Sequence, residues 1–353
     1  MDLPLTRAVL DAGLAARAFP AAAVEVGRAS GALWQAAVGR LRYEPDARPC
    51  TPETVFDLAS LTKVIATASL AMRLVESGDL DIDAPVGRYL PAWNDDTHAA
   101  IRVRHLLDHS SGLPAHERLW ERGRGRAYYA SEIHGCALDR PAGASAVYSD
   151  LGFITLGFML EDLGGAPLDG QMEELAAALG APALTYRPPT AWRDHIAPTE
   201  FDPWRDRLLV GEVHDENAAA LDGVAGHAGL FGTAADVGAF ARAVLRTWRG
   251  EHTVLGSVGL MRTFAARSTV PGSSRALGWD TMLPTSSCGR RLSASAVGHT
   301  GFTGTSLWVD PDLDLYVVLL SNRVYPTRSN DGIRAVRPRL HDAVIGDLEA
   351  RDV

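Results

Sequence analysis

Ser60-Leu61-Thr62-Lys63 sets a hydroxyl and an amine three residues apart, the spacing at which two side chains share one face of a helix. A serine hydroxyl is a weak nucleophile until a neighbouring base takes its proton. Lys63 is the only lysine in a chain of 353 residues that carries 33 arginines. A coding bias toward arginine explains the scarcity of lysine but not the survivor. As solvated charges the two are nearly interchangeable, yet only lysine loses its proton in a protein. The survivor therefore points to a place where a deprotonated amine is needed. Serine fills 20 of the 353 positions, so a serine three before a lone lysine arises by chance about once in eighteen. Burial in the apolar stretch Val64–Val75 disfavours the ammonium, so the Lys63 pKa is expected to fall. A serine at a helix start also holds its N–H near the positive end of the dipole, where an oxyanion is stabilised. The bland alternative is a serine N-cap followed by an incidental lysine.

Two further segments carry reactive side chains. Tyr148-Ser149-Asp150 precedes the apolar run Leu151–Leu160, and His299-Thr300-Gly301 ends a late strand, followed by Phe302-Thr303-Gly304. Together with Ser60–Lys63 they resemble the SxxK, Tyr-x-Asn and Lys-Thr-Gly motifs of the penicillin-recognising serine hydrolases, the serine β-lactamase and penicillin-binding-protein family. Their order and separations resemble the class C β-lactamase-type branch, with its DD-peptidases and esterases. Thr54–Lys63, Arg104–Pro114 and Val224–Phe231 also look like segments of that family, so the resemblance covers nearly the whole chain.

The resemblance implies an acyl-enzyme on Ser60, with general base and acid duty shared by Lys63 and Tyr148. The backbone N–H groups of Ser60 and Phe302 would form the oxyanion hole. Asp150, His299, Thr300 and Gly301 would face the substrate. Neither a cofactor nor a metal is implied. Two residues depart from the family pattern. Asp150 stands where the second motif has Asn, and a carboxylate there would oppose the expected fall of the Lys63 pKa unless it is protonated or turned away. His299 stands where the third motif has the Lys that holds a substrate carboxylate. Family esterases and some peptidases carry His there, which shifts the expected substrate toward esters and amides.

The expected activity is therefore serine hydrolysis of a small ester, amide or D-amino-acid peptide. Alternatives are a transacylase passing the acyl group to an amine or alcohol, a weak β-lactamase or DD-carboxypeptidase, and a non-catalytic penicillin-binding sensor. Other candidates have plainer readings. His105 and His109 are four apart, as helical zinc ligands would be, but the catalytic Glu of such a motif is missing between them. Val213–Asn217 reads as a hydrogen-bonded tie between two regions, with a position beside the cleft as the alternative. Gly223–Gly232 lacks the context of a phosphate loop and reads as close backbone packing, with His227 structural or facing the cleft. Trp308 reads as core.

Composition narrows the classes further. A net charge of −9 disfavours a phosphate-tracking groove, so nucleic acid is not an expected partner. The longest apolar runs fall far short of the roughly 20 residues that span a bilayer, so no membrane partner is expected. The first residues lack the basic start and unbroken apolar stretch of a secretory signal, which gives a cytoplasmic expectation. Cys50, Cys136 and Cys288 are an odd number without metal spacing and read as buried thiols. A small-molecule substrate is the expected partner, and the oligomeric state is open.

Elements that could position these residues follow from periodicity. A helix capped by Asp2 opens the chain, and strands at Ala21–Gly27 and Ala32–Val38 follow. Leu61–Ser77 reads as one helix ended by Gly78. Short helices lie near Val103–His109 and Gly152–Leu163. Thr233 and Asp236 form a capping box. Late strands at Ala294–Thr300, Thr305–Val309 and Leu315–Leu320 precede a last helix capped by Asn330. The expected class is α/β (α+β) of the β-lactamase/transpeptidase type. One antiparallel sheet from both chain ends is flanked by the terminal helices. Residues 1–78 and 215–353 would form this domain, and 79–214 an inserted, mostly helical one.

Overall fold

The structure is a computed structural model that describes residues 1–351. Pro4–Ala15 (α1) leads into the hairpin Ala21–Arg28 (β1) and Gly31–Gly39 (β2). Phe56–Asp57 (β3) precedes a 3-10 turn at Ala59–Leu61, a π turn at Lys63–Ala68 and the helix Ser69–Ser77 (α2). The middle of the chain holds Val103–Leu107 (α3), Arg126–His134 (α4), Asp150–Gly164 (α5) and Leu168–Leu179 (α6). Its strands are two residues each, at Thr185–Tyr186 (β4), Phe201–Asp202 (β5) and Arg207–Leu208 (β6). Glu216–Ala220 (α7), Leu230–Gly232 (β7), Ala234–Trp248 (α8) and Val258–Ala265 (α9) follow. Asp280–Thr281 (β8), Val297–Thr300 (β9), Ser306–Asp310 (β10), Leu315–Ser321 (β11) and Ile333–Glu349 (α10) complete it.

The main sheet runs β2-β1-β11-β10-β9-β8, every pair antiparallel. Val24 lies opposite Leu319, and Val317 opposite Trp308. Leu315, Val317 and Leu319 face one core with Leu10 of α1 and Leu340 of α10, while Tyr316, Val318 and Leu320 face another with Val237 and Phe240 of α8. A strand buried on both faces needs an unbroken apolar run, which Leu315–Leu320 supplies. The mixed α/β architecture with its antiparallel sheet is the one expected.

Details differ from the sequence expectation. Leu3, not Asp2, is the N-cap of α1, because Pro4 at the first helical position fixes the start. Leu61–Ser77 is not one α-helix but three kinds of turn in succession, ended by Gly78 at φ 85°. Asn330 does not cap α10 directly; Gly332 does, and the Asn330 carboxamide accepts from its N–H at 3.1 Å. A second small sheet, β3-β7-β4, joins the strand before Ser60 to β7 and to a pair from the middle of the chain. No single helix among the described residues is long and apolar enough to cross a membrane.

Candidate active site

The turn that presents Ser60 is held from several sides. Ala59 adopts a left-handed backbone with φ 47°, which costs a non-glycine residue about 1–2 kcal/mol. The Asp57 carboxylate offsets that strain by accepting from Ala59 N at 2.8 Å and from His214 N at 2.7 Å. The turn after β9 is fastened to the same segment, with Thr303 Oγ1 donating to Asp57 O at 2.7 Å and Thr305 Oγ1 to Leu58 O at 3.0 Å. Gly301 is required at this junction. A Cβ on it would lie 2.0 Å from Thr305 Oγ1 and 2.7 Å from Leu58 O. The backbones of Ser60 and of Phe302 are thus fixed relative to one another.

Ser60 lies in the 3-10 turn and Lys63 opens the π turn that follows, so the lysine side chain reaches back to the serine three residues before it. Lys63 is fully buried. Its Nζ contacts Ser60 Oγ at 3.0 Å, Asp150 Oδ1 at 2.8 Å and His227 O at 3.0 Å. An ammonium would donate all three bonds. A neutral amine would donate to the carboxylate and the carbonyl and accept from Ser60, so geometry alone admits both forms. Charge decides between them. Burial lowers the Lys63 pKa, but the Asp150 carboxylate and Tyr148 outweigh it, and the net shift is upward. The expected fall is therefore corrected: Asp150 is neither protonated nor turned away. Burial pushes the Asp150 carboxyl up, and Lys63, His116 and His227 pull it lower still, so it stays ionised.

Tyr148 lies beside the pair, with Lys63 Nζ 4.8 Å from the centre of its ring. Burial raises its pKa, and the Lys63 charge counters part of the rise. Ser149 caps α5, accepting from Gly152 N at 3.3 Å and donating to Pro114 O at 2.7 Å, and this sets Tyr148 and Asp150 on either side of the helix start. His109 braces the same point: its ring lies 4.5 Å from the Tyr148 ring, and its Nδ1 accepts from Ser149 N at 3.1 Å. His105 Nδ1 accepts from Arg102 N instead, so the two histidines do not converge on one ion. The group that does converge, Asp95 with His98 and His134, is internally hydrogen-bonded at 2.7–2.9 Å and lies away from Ser60.

Ser60, Tyr148, Asp150, His299, Thr300, Gly301 and Phe302 all line one cleft of about 580 Å³, with Lys63 buried behind Ser60 and Asp150. His299 Nδ1 lies 2.9 Å from Thr300 O; a carbonyl can only accept, so Nδ1 carries the proton and Nε2 presents a lone pair. Burial and then the Arg275 charge hold the His299 pKa well below its ordinary value. The Val213–Asn217 segment is both a tie and a cleft wall. His214 contacts Glu200 at 3.0 Å, Asp215 contacts His227 at 2.8 Å, and Asn217 accepts from Tyr129 at 2.9 Å. Gly226 passes so close to α5 that a Cβ would lie 2.2 Å from Phe153 O, and this brings the carbonyl of His227 to Lys63. Trp308 is core, 1% exposed. Sequence reasoning missed His109 as the brace of Tyr148, and it missed Arg275, Arg323 and Arg337 in the cleft wall.

The chain as a whole is similar to proteins of one family. The Beta-lactamase family model matches residues 6–339. An N-acetylmuramyl-L-alanine amidase of Bacillus subtilis (strain 168) is 34% identical over 347 residues, covering 87% of this chain and 78% of that protein. A class C beta lactamase from Rhodobacter sphaeroides has the same fold, with a TM-score of 0.77 at 20% identity over 98% of this chain and 99% of that one. EstCE1, a hydrolase with promiscuous acyltransferase activity, shares it at a TM-score of 0.76 and 22% identity over 97% of each chain. The chain belongs to the beta-lactamase family of serine hydrolases.

Proposed function

We propose that this protein hydrolyses an amide between an acyl group and an amino acid or peptide, through an acyl-enzyme on Ser60. The observation that carries the reading is the 3.0 Å contact of the buried Lys63 amine with the Ser60 hydroxyl, beside the Tyr148 ring, where Ser60 and Tyr148 line one cleft. The amide preference rests on the 34% identity to an N-acetylmuramyl-L-alanine amidase.

Because Asp150 keeps Lys63 cationic, the base is the Tyr148 phenolate, with Lys63 as its fixed counter-charge. Tyr148 Oη takes the Ser60 proton as Oγ bonds to the carbonyl carbon. The oxyanion is held by the N–H groups of Ser60 and Phe302, preorganised by the Thr303 and Thr305 bonds. Collapse breaks the C–N bond, and Tyr148 passes its proton to the departing nitrogen. Water then gives a proton to Tyr148 and attacks the acyl carbon. The second collapse returns that proton to Ser60 Oγ and releases the acid.

Intact mass after exposure to a fluorophosphonate tests the nucleophile. One adduct is expected on the native chain and none on Ser60→Ala. An adduct that survives in Ser60→Ala contradicts the reading.

A further inference from the structure

Asp95, His98 and His134 are the one set of three histidine, cysteine or carboxylate side chains whose donor atoms converge among the described residues. One donor atom from each lies within 4.8 Å of the other two. Asp95 and His98 belong to the turn after the short 3-10 helix Pro91–Asn94, and His134 ends α4, 39 residues beyond Asp95. The carboxylate is fixed by the backbone: its Oδ1 accepts from Thr97 N at 2.8 Å and from His98 N at 3.0 Å. His98 Nδ1 lies 2.9 Å from both carboxylate oxygens, and His134 Nε2 lies 2.7 Å from Oδ2. The rings are fixed too. Buried Trp93 packs against both, with ring centres 4.9 and 6.1 Å away, and the two imidazoles are 4.7 Å apart. The His98 side chain is only 5% exposed, but those of Asp95 and His134 are 37% and 33% exposed, so solvent reaches the set.

We propose that Asp95, His98 and His134 bind a zinc ion. Two imidazole nitrogens and one carboxylate oxygen, with water in the fourth position, are a donor set that zinc favours. Bonds of about 2.0–2.2 Å to a tetrahedral ion put its donor atoms roughly 3.3 Å apart, so the imidazole–carboxylate contacts need open by only about half an ångström. Zinc takes the place of the proton between each imidazole and the carboxylate, and each ring carries its remaining proton on the other nitrogen. The Thr97 and His98 amides then serve as the outer bonds that orient the carboxylate ligand. None of the three residues lines the Ser60 cleft. The ion clips the turn before α3 to the end of α4, so its effect falls on stability and not on the reaction.

The test is zinc titration of the chelator-treated full chain, by competition with a chromophoric chelator. One equivalent should bind, and saturating zinc should raise the melting temperature. Magnesium, which prefers oxygen ligands, should do neither. His134→Gln is a change on a partly exposed helix end that keeps a donor for Asp95. It should weaken zinc binding by at least the roughly 10–100-fold that a lost outer bond costs a metal site, and should abolish the thermal shift. Anomalous diffraction at the zinc edge from native crystals soaked in zinc should place the ion between the three side chains. No stoichiometric binding by the native chain, undiminished binding by His134→Gln, or an anomalous peak elsewhere overturns the proposal.

Discussion

Lys63 Nζ lies 2.8 Å from Asp150 Oδ1, across 87 residues of sequence. The chain's single lysine is thereby paired with the residue that departs from the family's Tyr-x-Asn motif. A position that keeps Lys in preference to Arg suggests an amine that titrates, but the Asp150 carboxylate works against titration. The proposed mechanism divides the labour accordingly: Lys63 supplies charge and Tyr148 moves the proton.

Replacing Asp150 by Asn tests that division. The carboxylate raises the pKa of both Lys63 and Tyr148. Removing its charge disfavours the protonated form of each, and the active form holds one proton fewer than the resting form. The acid limb of kcat/KM should therefore move to lower pH, and turnover of a neutral p-nitrophenyl ester at pH 7 should rise. A limb that stays in place or moves upward would count against the role given to Asp150.

Tyr148→Phe removes the proton carrier while keeping the ring against His109. A loss of about 10²–10⁴ in kcat/KM is expected, the usual worth of general acid–base catalysis. Thermal unfolding should change little. A variant within tenfold of the native rate would return the base to Lys63.

Away from the cleft, Glu25 is buried on β1 and accepts from Tyr316 Oη at 2.7 Å, Arg242 at 2.9 Å and Gln35 at 2.6 Å. Arg242→Ala strands a buried charge and should cost about 3 kcal/mol in denaturant unfolding. Adding Glu25→Gln removes that charge, so the double variant should be more stable than Arg242→Ala alone. The opposite order would show that the arginine contributes through packing.

Buried histidines set the acid behaviour of the fold. Burial holds His109 and His299 well below the ordinary histidine value, and His341 at about 4. The unfolded chain therefore binds more protons below its own histidine pKa of about 6.5. Stability contributed by these groups is full above that value and is lost as pH falls toward 4. The melting temperature should drop between pH 7.5 and 5, with His341→Gln flattening part of the slope. A flat profile would mean that the three rings are protonated in place.

Much of this was readable from residue spacing. Leu315–Leu320 announced a late strand, and Thr233 with Asp236 announced the start of α8. Leu168, Met172, Leu175 and Ala176 carry the helical period of α6 and were overlooked because Pro and Gly surround them. The two-residue strands are too short to leave a pattern. At the site, the proximity of Ser60, Lys63 and Tyr148 was legible because each sits on a short motif. The charge on Lys63 was not, since it depends on where a distant carboxylate points once α5 is capped by Ser149. Arg275 was not either, since nothing local distinguishes it from 32 other arginines.

The lone lysine makes its own protonation state measurable. Isotope-labelled lysine gives one side-chain amine resonance in the whole protein, free of any assignment problem. Followed by NMR against pH, that resonance should keep the shift of an ammonium past about 10.4, the value of a free lysine, and Asp150→Asn should bring its midpoint down. A native midpoint below about 8 would make Lys63 the base and contradict the division of labour with Tyr148.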